Sequence, residues 1–184
     1  EPLHLLLGVK PDVVIYGCTS ATLTHGPAFD RALAKRTETA SGAKTVTAAG
    51  ALVYALTALG AKRIGFASPY VPAINTLAVG FLANSGFETV TRSEVDDALG
   101  NHEQGALDPD AVYALGLKAD HPDADVIVLS CTEMRSVETL DRLEQKLGKP
   151  VVSSNQAMMF EALGTLDITD PITGFGSLLE RTKR

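Results

Sequence analysis

Val13-Val14-Ile15-Tyr16-Gly17-Cys18-Thr19-Ser20 and Ile127-Val128-Leu129-Ser130-Cys131-Thr132-Glu133 are the two stretches that decide the fold. Each is a short, apolar, β-branched run that ends in a small residue, a cysteine and a threonine, the pattern of a buried strand entering a polar turn. With Cys18 set on Cys131 the likeness continues. Gly42-Ala43-Lys44-Thr45-Val46-Thr47 matches Gly148-Lys149-Pro150-Val151-Val152-Ser153, and Ala51-Leu52-Val53-Tyr54 matches Ala157-Met158-Met159-Phe160. Any two buried strands share Val and Ile, but that does not explain two Cys-Thr pairs in one register. The simplest account is an internal repeat: two similar α/β halves, each with a cysteine at the carboxyl end of a strand.

Working outward, strands alternate with helices along the chain. The opening Leu3, Leu5, Leu6 and Leu7 run into Gly8 and Pro11 as the carboxyl half of a helix. Strands are expected at 12–16, 44–46, 62–67, 87–91, 125–129 and 150–152. Helices are expected at 27–39, 51–59, 73–84, 108–119, 137–147 and 157–163, with Asp108 as N-cap and Pro109 in the first helical position. This alternation implies parallel sheets covered on both faces.

The composition narrows the function classes. With 184 residues, 45% of them hydrophobic and 21% charged, the chain can bury a real core. Sixteen basic and twenty-two acidic residues give a net charge of −6 with neither sign gathered into a block, which argues against nucleic acid and anionic membrane as partners. No apolar run reaches the roughly 20 residues of a spanning helix, and no signal-peptide pattern opens the chain. A soluble, cytoplasmic protein is therefore expected, with its thiols reduced. Neither G-x-G-x-x-G nor G-x-x-x-x-G-K-[ST] occurs, so a nucleotide cofactor is not expected. His4, His25, His102 and His121 are scattered without metal-ligand spacing and read as surface or packing residues, so no metal is expected. His25 lies close enough behind Cys18 to support it from outside the site.

The cysteines carry the chemistry. For an average cysteine, burial as a small hydrophobe is the commonest role. Residues just past the carboxyl end of a parallel strand, however, border the ligand crevice of open α/β sheets, where the next helix presents free N–H groups. A thiol there, with a free pKa of about 8.5, can be drawn toward neutrality and exchange a proton or attack carbon. Thr19, Ser20 and Thr132 add hydroxyls and turn amides suited to a carboxylate, or to helix capping.

These residues resemble the aspartate/glutamate racemase superfamily, in the branch holding maleate cis-trans isomerases, arylmalonate decarboxylases and the ectoine-utilisation racemase-like proteins. The resemblance covers essentially the whole chain. It is carried by Tyr16 to Ser20, by Ala67-Ser68-Pro69-Tyr70 with Asn75, by Leu129 to Arg135, by Gly148 to Asn155 and by Gly174-Phe175-Gly176. It implies an α/β fold of two pseudo-symmetric lobes, with parallel four-stranded-type sheets flanked by helices and the site between the lobes. Residues 1–60 would form lobe 1 with Cys18, 61–150 lobe 2 with Cys131, and 151–184 a return to lobe 1 and a tail. The family opens with a strand and a substrate-contacting loop ahead of the region matched here, so its first strand is expected to be absent from this chain.

The resemblance also implies roles. Cys18 and Cys131 match the catalytic pair; Thr19, Ser20, Tyr70 and Thr132 match positions that hold a substrate carboxylate; Asn101 matches an asparagine placed over the substrate. On the residues alone, Tyr70 reads as a half-buried strand-end aromatic and Asn101 as a turn former. The implied activity is a cofactor-independent isomerisation or racemisation of a small carboxylic acid, with homo-oligomerisation left open. Arylmalonate decarboxylases have glycine at the position of Cys18, so two cysteines favour isomerase over decarboxylase. A carboxylate-binding module without catalysis is the non-enzymatic alternative. Because Thr19 and Ser20 follow Cys18 while Glu133 follows Cys131, Cys18 is expected to be the readier thiolate and Cys131 the proton donor. The two thiols should be unbridged across one cleft.

Overall fold

A computed structural model describes residues 2–182. The chain runs through α1 (Pro2–Leu6), a 3₁₀ turn, β1 (Val13–Tyr16), α2 (Thr19–Leu23), α3 (Pro27–Ser41), β2 (Lys44–Thr47) and α4 (Ala48–Ala58). It continues through β3 (Arg63–Ser68), α5 (Pro72–Asn84), β4 (Glu88–Glu94), α6 (Asn101–Gly105) and α7 (Pro109–Lys118). The remainder is β5 (Val126–Leu129), a 3₁₀ turn at Val137–Thr139, α8 (Leu140–Leu147), β6 (Val151–Ser153) and α9 (Ser154–Thr165). The short helices α2 and α6 were not expected; five residues each are too few to show a helical period. The helix expected from residue 137 begins as the 3₁₀ turn and becomes α-helical only at Leu140.

All strands run parallel. β1 and β2 form a two-stranded sheet, and the other four form a second sheet in the order β4-β3-β5-β6. The internal repeat holds down to the register: Val14 faces Thr45 and Tyr16 faces Thr47, as their counterparts Ile127 and Leu129 face Val151 and Ser153. Gly42 and Gly148, with φ of 74° and 67°, end the helices before β2 and β6 in the left-handed conformation that glycine adopts without a Cβ clash. Thr47 and Ser153 then cap α4 and α9, accepting from the backbone N–H groups of Gly50 and Gln156. The equivalent helices α4 and α9 pack on each other, and the equivalent rings of Tyr54 and Phe160 meet at 5.8 Å. Contact between like positions is what two halves arranged about a shared axis produce.

In the four-stranded sheet the inner strands β3 and β5 are buried on both faces, with successive side chains serving different cores. Ile64, Phe66, Val126 and Val128 join Leu52, Leu56 and Phe160 on the face toward α4 and α9. Ala67, Ile127, Leu129 and Val151 join Val112, Leu140 and Leu143 on the other. At Gly65 a Cβ would lie 2.1 Å from the Ala119 carbonyl oxygen, so only glycine lets the end of α7 approach β3 this closely. The sheet bearing Cys18 has two strands among the described residues. Residues 151–153 pair with β5 and complete its ladder, and α9, which follows them, packs on α4 of the first half.

Candidate active site

Cys18 is the N-cap of α2 in extended conformation (φ −120°, ψ 99°), so the chain leaves β1 and turns immediately into a helix. The buried Thr22 locks this turn. Its hydroxyl donates toward the Cys18 and Thr19 carbonyls at 3.0 and 3.1 Å and accepts from Ala49 N–H at 3.2 Å, tying the turn to the start of α4. Cys131 follows β5 but no helix begins there. The loop folds back instead, and the amides of Glu133 and Met134 bond the sulfur. The expectation of a helix N-terminus thus holds for Cys18 and fails for Cys131, because Ser136 and Thr139 hold the intervening loop in a tight turn, the Thr139 hydroxyl donating to the Ser136 carbonyl at 2.8 Å.

The cysteines are both free, Cys18 exposed and Cys131 buried. They line one cavity of about 220 Å³ together with Thr19, Ser20, Tyr70, Asn101 and Thr132, and with Ile74, Leu99, Gln104 and Glu133. The two cysteines and the five residues expected to bind substrate therefore all lie at this cavity. His25 does not line it: its ring packs on Phe29 with centroids 4.6 Å apart and its Nδ1 lies 2.9 Å from the Ala21 carbonyl. His4 falls outside the described side chains. Among the described residues no cluster of His, Cys, Asp or Glu is placed to hold a metal ion, and no helix is long and apolar enough to cross a membrane.

Tyr70 is held from behind. Ser68 accepts from Tyr70 N–H at 3.2 Å and is hydrogen-bonded to the fully buried Asn75, whose amide donates to the Tyr70 carbonyl at 2.9 Å and to Glu94 at 2.7 Å. Burial pushes the Tyr70 phenol well above its ordinary range, and the thiols of Cys131 and Cys18 push it further, so it remains a neutral donor. Burial likewise raises the Cys131 thiol; Tyr70 and the Glu133 and Met134 amides draw it back, and the Glu133 charge adds to the rise. Thr19 is buried with its hydroxyl toward the Tyr70 phenol, which it draws back slightly, whereas the Thr132 hydroxyl donates to the Gly17 carbonyl at 3.0 Å. A hydroxyl has one proton, so Thr132 as it stands braces the two cysteine loops and keeps only acceptor capacity there. Asn155 supports the brace by donating to the Thr132 carbonyl at 2.9 Å.

Gln104 was not anticipated. It is buried beside Cys131, with its Oε1 3.4 Å from the sulfur. Its signal was the spacing from Asn101, three residues away and on the same side of a helical turn, which becomes legible only once α6 is known to be a helix.

Two free thiols at equivalent strand ends, facing one small cavity among hydroxyl and amide donors, make a two-thiol site on a duplicated parallel α/β scaffold. The sequence model of the arylmalonate decarboxylase family matches residues 8–179, and the chain belongs to that family. It is 34% identical over 184 residues to a maleate isomerase of Pseudomonas putida, spanning 95% of this chain and 72% of the relative. Among solved structures it resembles a Nocardia farcinica maleate cis-trans isomerase, in a cysteine-to-serine variant with a covalently bound succinylcysteine intermediate: TM-score 0.92, 27% identity, 97% of this chain and 75% of that one. It also resembles arylmalonate decarboxylase, at TM-score 0.88 and 27% identity, over 96% of this chain and 78% of that one.

Proposed function

We propose that this chain is a cofactor-independent isomerase that converts maleate, or a closely related small dicarboxylate, through Cys18 and Cys131. One observation carries the reading: both unbridged thiols border the same cavity, one exposed and one buried. Its volume lies below the ~300–1,000 Å³ typical of pockets for drug-sized ligands, in keeping with a small acid. The maleate isomerase relatives, one with a succinylcysteine adduct, support the chemistry.

In the reaction, the Cys18 thiolate adds to one olefinic carbon, forming a C–S bond while the π pair moves to the neighbouring carbon, which takes the proton of the Cys131 thiol. The former double bond is now single and turns. The Cys131 thiolate removes the proton, the C–H pair re-forms the π bond, and the C–S pair returns to Cys18 as the trans acid leaves. Neutral donors suit this sequence. Tyr70, Asn101, and the amides and hydroxyls of Thr19 and Ser20 can hold a carboxylate, while none of the cavity-lining residues is Lys or Arg. A reducing compartment such as the cytoplasm would keep both thiols free.

The test is incubation of the purified protein with maleate, following fumarate by proton NMR, with mass spectrometry of the Cys131→Ser variant under substrate. Fumarate formation and a succinyl adduct on the Cys18 peptide are expected. Inactivity toward maleate with turnover of an arylmalonate would replace this reading with decarboxylation, and binding without turnover of any acid would leave a binding module.

A further inference from the structure

Helix α6 places Asn101 and Gln104 on the same cavity wall, and the two differ in their commitments. The Gln104 side chain is 8% exposed, and its Nε2 donates to the Leu99 carbonyl at 3.0 Å. A carbonyl can only accept, so this bond fixes which end of the carboxamide faces the other way. The end left for Cys131 is Oε1, 3.4 Å from Sγ, and the thiol donates to it. An acceptor aimed at sulfur bonds the neutral thiol and opposes a thiolate. Cys18 has no such partner: its sulfur lies 3.9 Å from the Ser20 hydroxyl, which can donate as readily as accept.

We propose that Gln104 is the positioning residue that keeps Cys131 protonated and thereby assigns it the role of proton donor, leaving Cys18 to act as the nucleophile. The inference rests on the two-thiol reading above and deepens it. Burial raises the Cys131 thiol first, and the Gln104 orientation adds a bond to its neutral form; neither follows from the near-identical strand ends that carry the cysteines. The other titratable groups facing Cys131 are Tyr70 after β3, Cys18 after β1 and Glu133 in its own loop. Tyr70 and the amides of Glu133 and Met134 favour the thiolate, so the Gln104 acceptor joins burial and the Glu133 charge in holding the proton on sulfur, and its removal should be visible as a shift toward the thiolate. Between turnovers the thiol keeps its proton on sulfur and points it at Gln104 Oε1, and rotation about the Cβ–Sγ bond turns it toward substrate.

The test uses two near-isosteric variants of the whole chain. Gln104→Met removes the acceptor, and Gln104→Glu keeps an acceptor but adds a like charge. Alkylation of Cys131 by iodoacetamide, read peptide by peptide in a Cys18→Ser background, gives the pH midpoint of its thiolate without requiring activity. The midpoint should fall in Gln104→Met and rise in Gln104→Glu, by about half a pH unit or more each way. On maleate with Cys18 present, Gln104→Met should lower kcat about tenfold with KM within about twofold of the parent. Unmoved midpoints, or a loss confined to KM, would overturn the proposal. Failure of the parent protein to turn over maleate would sink the proposed function but leave the thiol titration to judge Gln104.

Discussion

β1 and β5 begin from near-identical sequences and pair with β2 and β6 in the same register, yet their surroundings differ. All four residues of β5 are buried, whereas Ile15 and Tyr16 of β1 are 41% and 37% exposed. β5 lies between β3 and β6 with helices over both faces; among the described residues β1 pairs with β2 alone. The cysteines inherit this contrast. Cys131 sits at the end of a strand enclosed on every side and is 2% exposed, its thiol raised by that burial, while Cys18 stands open to solvent. A duplicated local sequence thus yields two chemically unequal thiols because their neighbours, not their own residues, set the dielectric around them.

The sharpest way to break this comparison is at the cysteines. Cys18→Ser and Cys131→Ser should each reduce maleate turnover about a thousandfold or more, roughly 4 kcal/mol in barrier, because an alcohol is a poor nucleophile and a poor partner for carbon-bound protons. Near-normal steady-state rates for Cys18→Ser would show that only the buried thiol works. At the level of packing, Val128→Ala should cost about 2 kcal/mol in urea denaturation, whereas Ile15→Ala, at the matching position of β1, should cost less than about 1 kcal/mol although it deletes more carbon. Equal losses would mean that β1 is as enclosed as β5.

The paired helices offer a pH-dependent contrast. Where α4 has the fully buried Ala55, α9 has Glu161, whose carboxyl is pushed up to about 7, first by burial and then by the charge of Asp30. A carboxyl raised in the folded state binds a proton that the unfolded chain has already released, so its contribution is complete below about 4.5 and is lost as pH climbs through about 7. Thermal stability should therefore decline from about pH 5 to about pH 8 in the parent and decline less in Glu161→Gln, as scanning calorimetry can show. The smallest effect is expected at the caps. Thr47→Ala and Ser153→Ala should cost about 1 kcal/mol each. The Ser153 change should be the larger, since Gln156 completes a reciprocal capping box there, and the difference measures how far the repeat departs from symmetry.

Much of this was legible in the sequence. The Cys-Thr pairs, Gly42 with Gly148, and Thr47 with Ser153 all belong to local rules, in which a turn, a cap or a strand end demands a residue type at a given spacing; they defined the repeat, the strand ends and the residues around the cavity. The short helix α6 escaped because its five residues show no period, and with it went Gln104, whose role depends on a carbonyl and a sulfur that only folding brings near. The Thr132 hydroxyl was read as a substrate donor, yet it meets Gly17, 115 positions away along the chain. Local backbone preference and side-chain chemistry are written in neighbouring residues, so the sequence by itself determined the duplicated α/β plan and the two cysteines at its strand ends. Burial and hydrogen-bond partners are set by atoms distant in sequence, so only the tertiary structure decided which thiol is enclosed, which hydroxyl is committed and which way the Cys131 proton points.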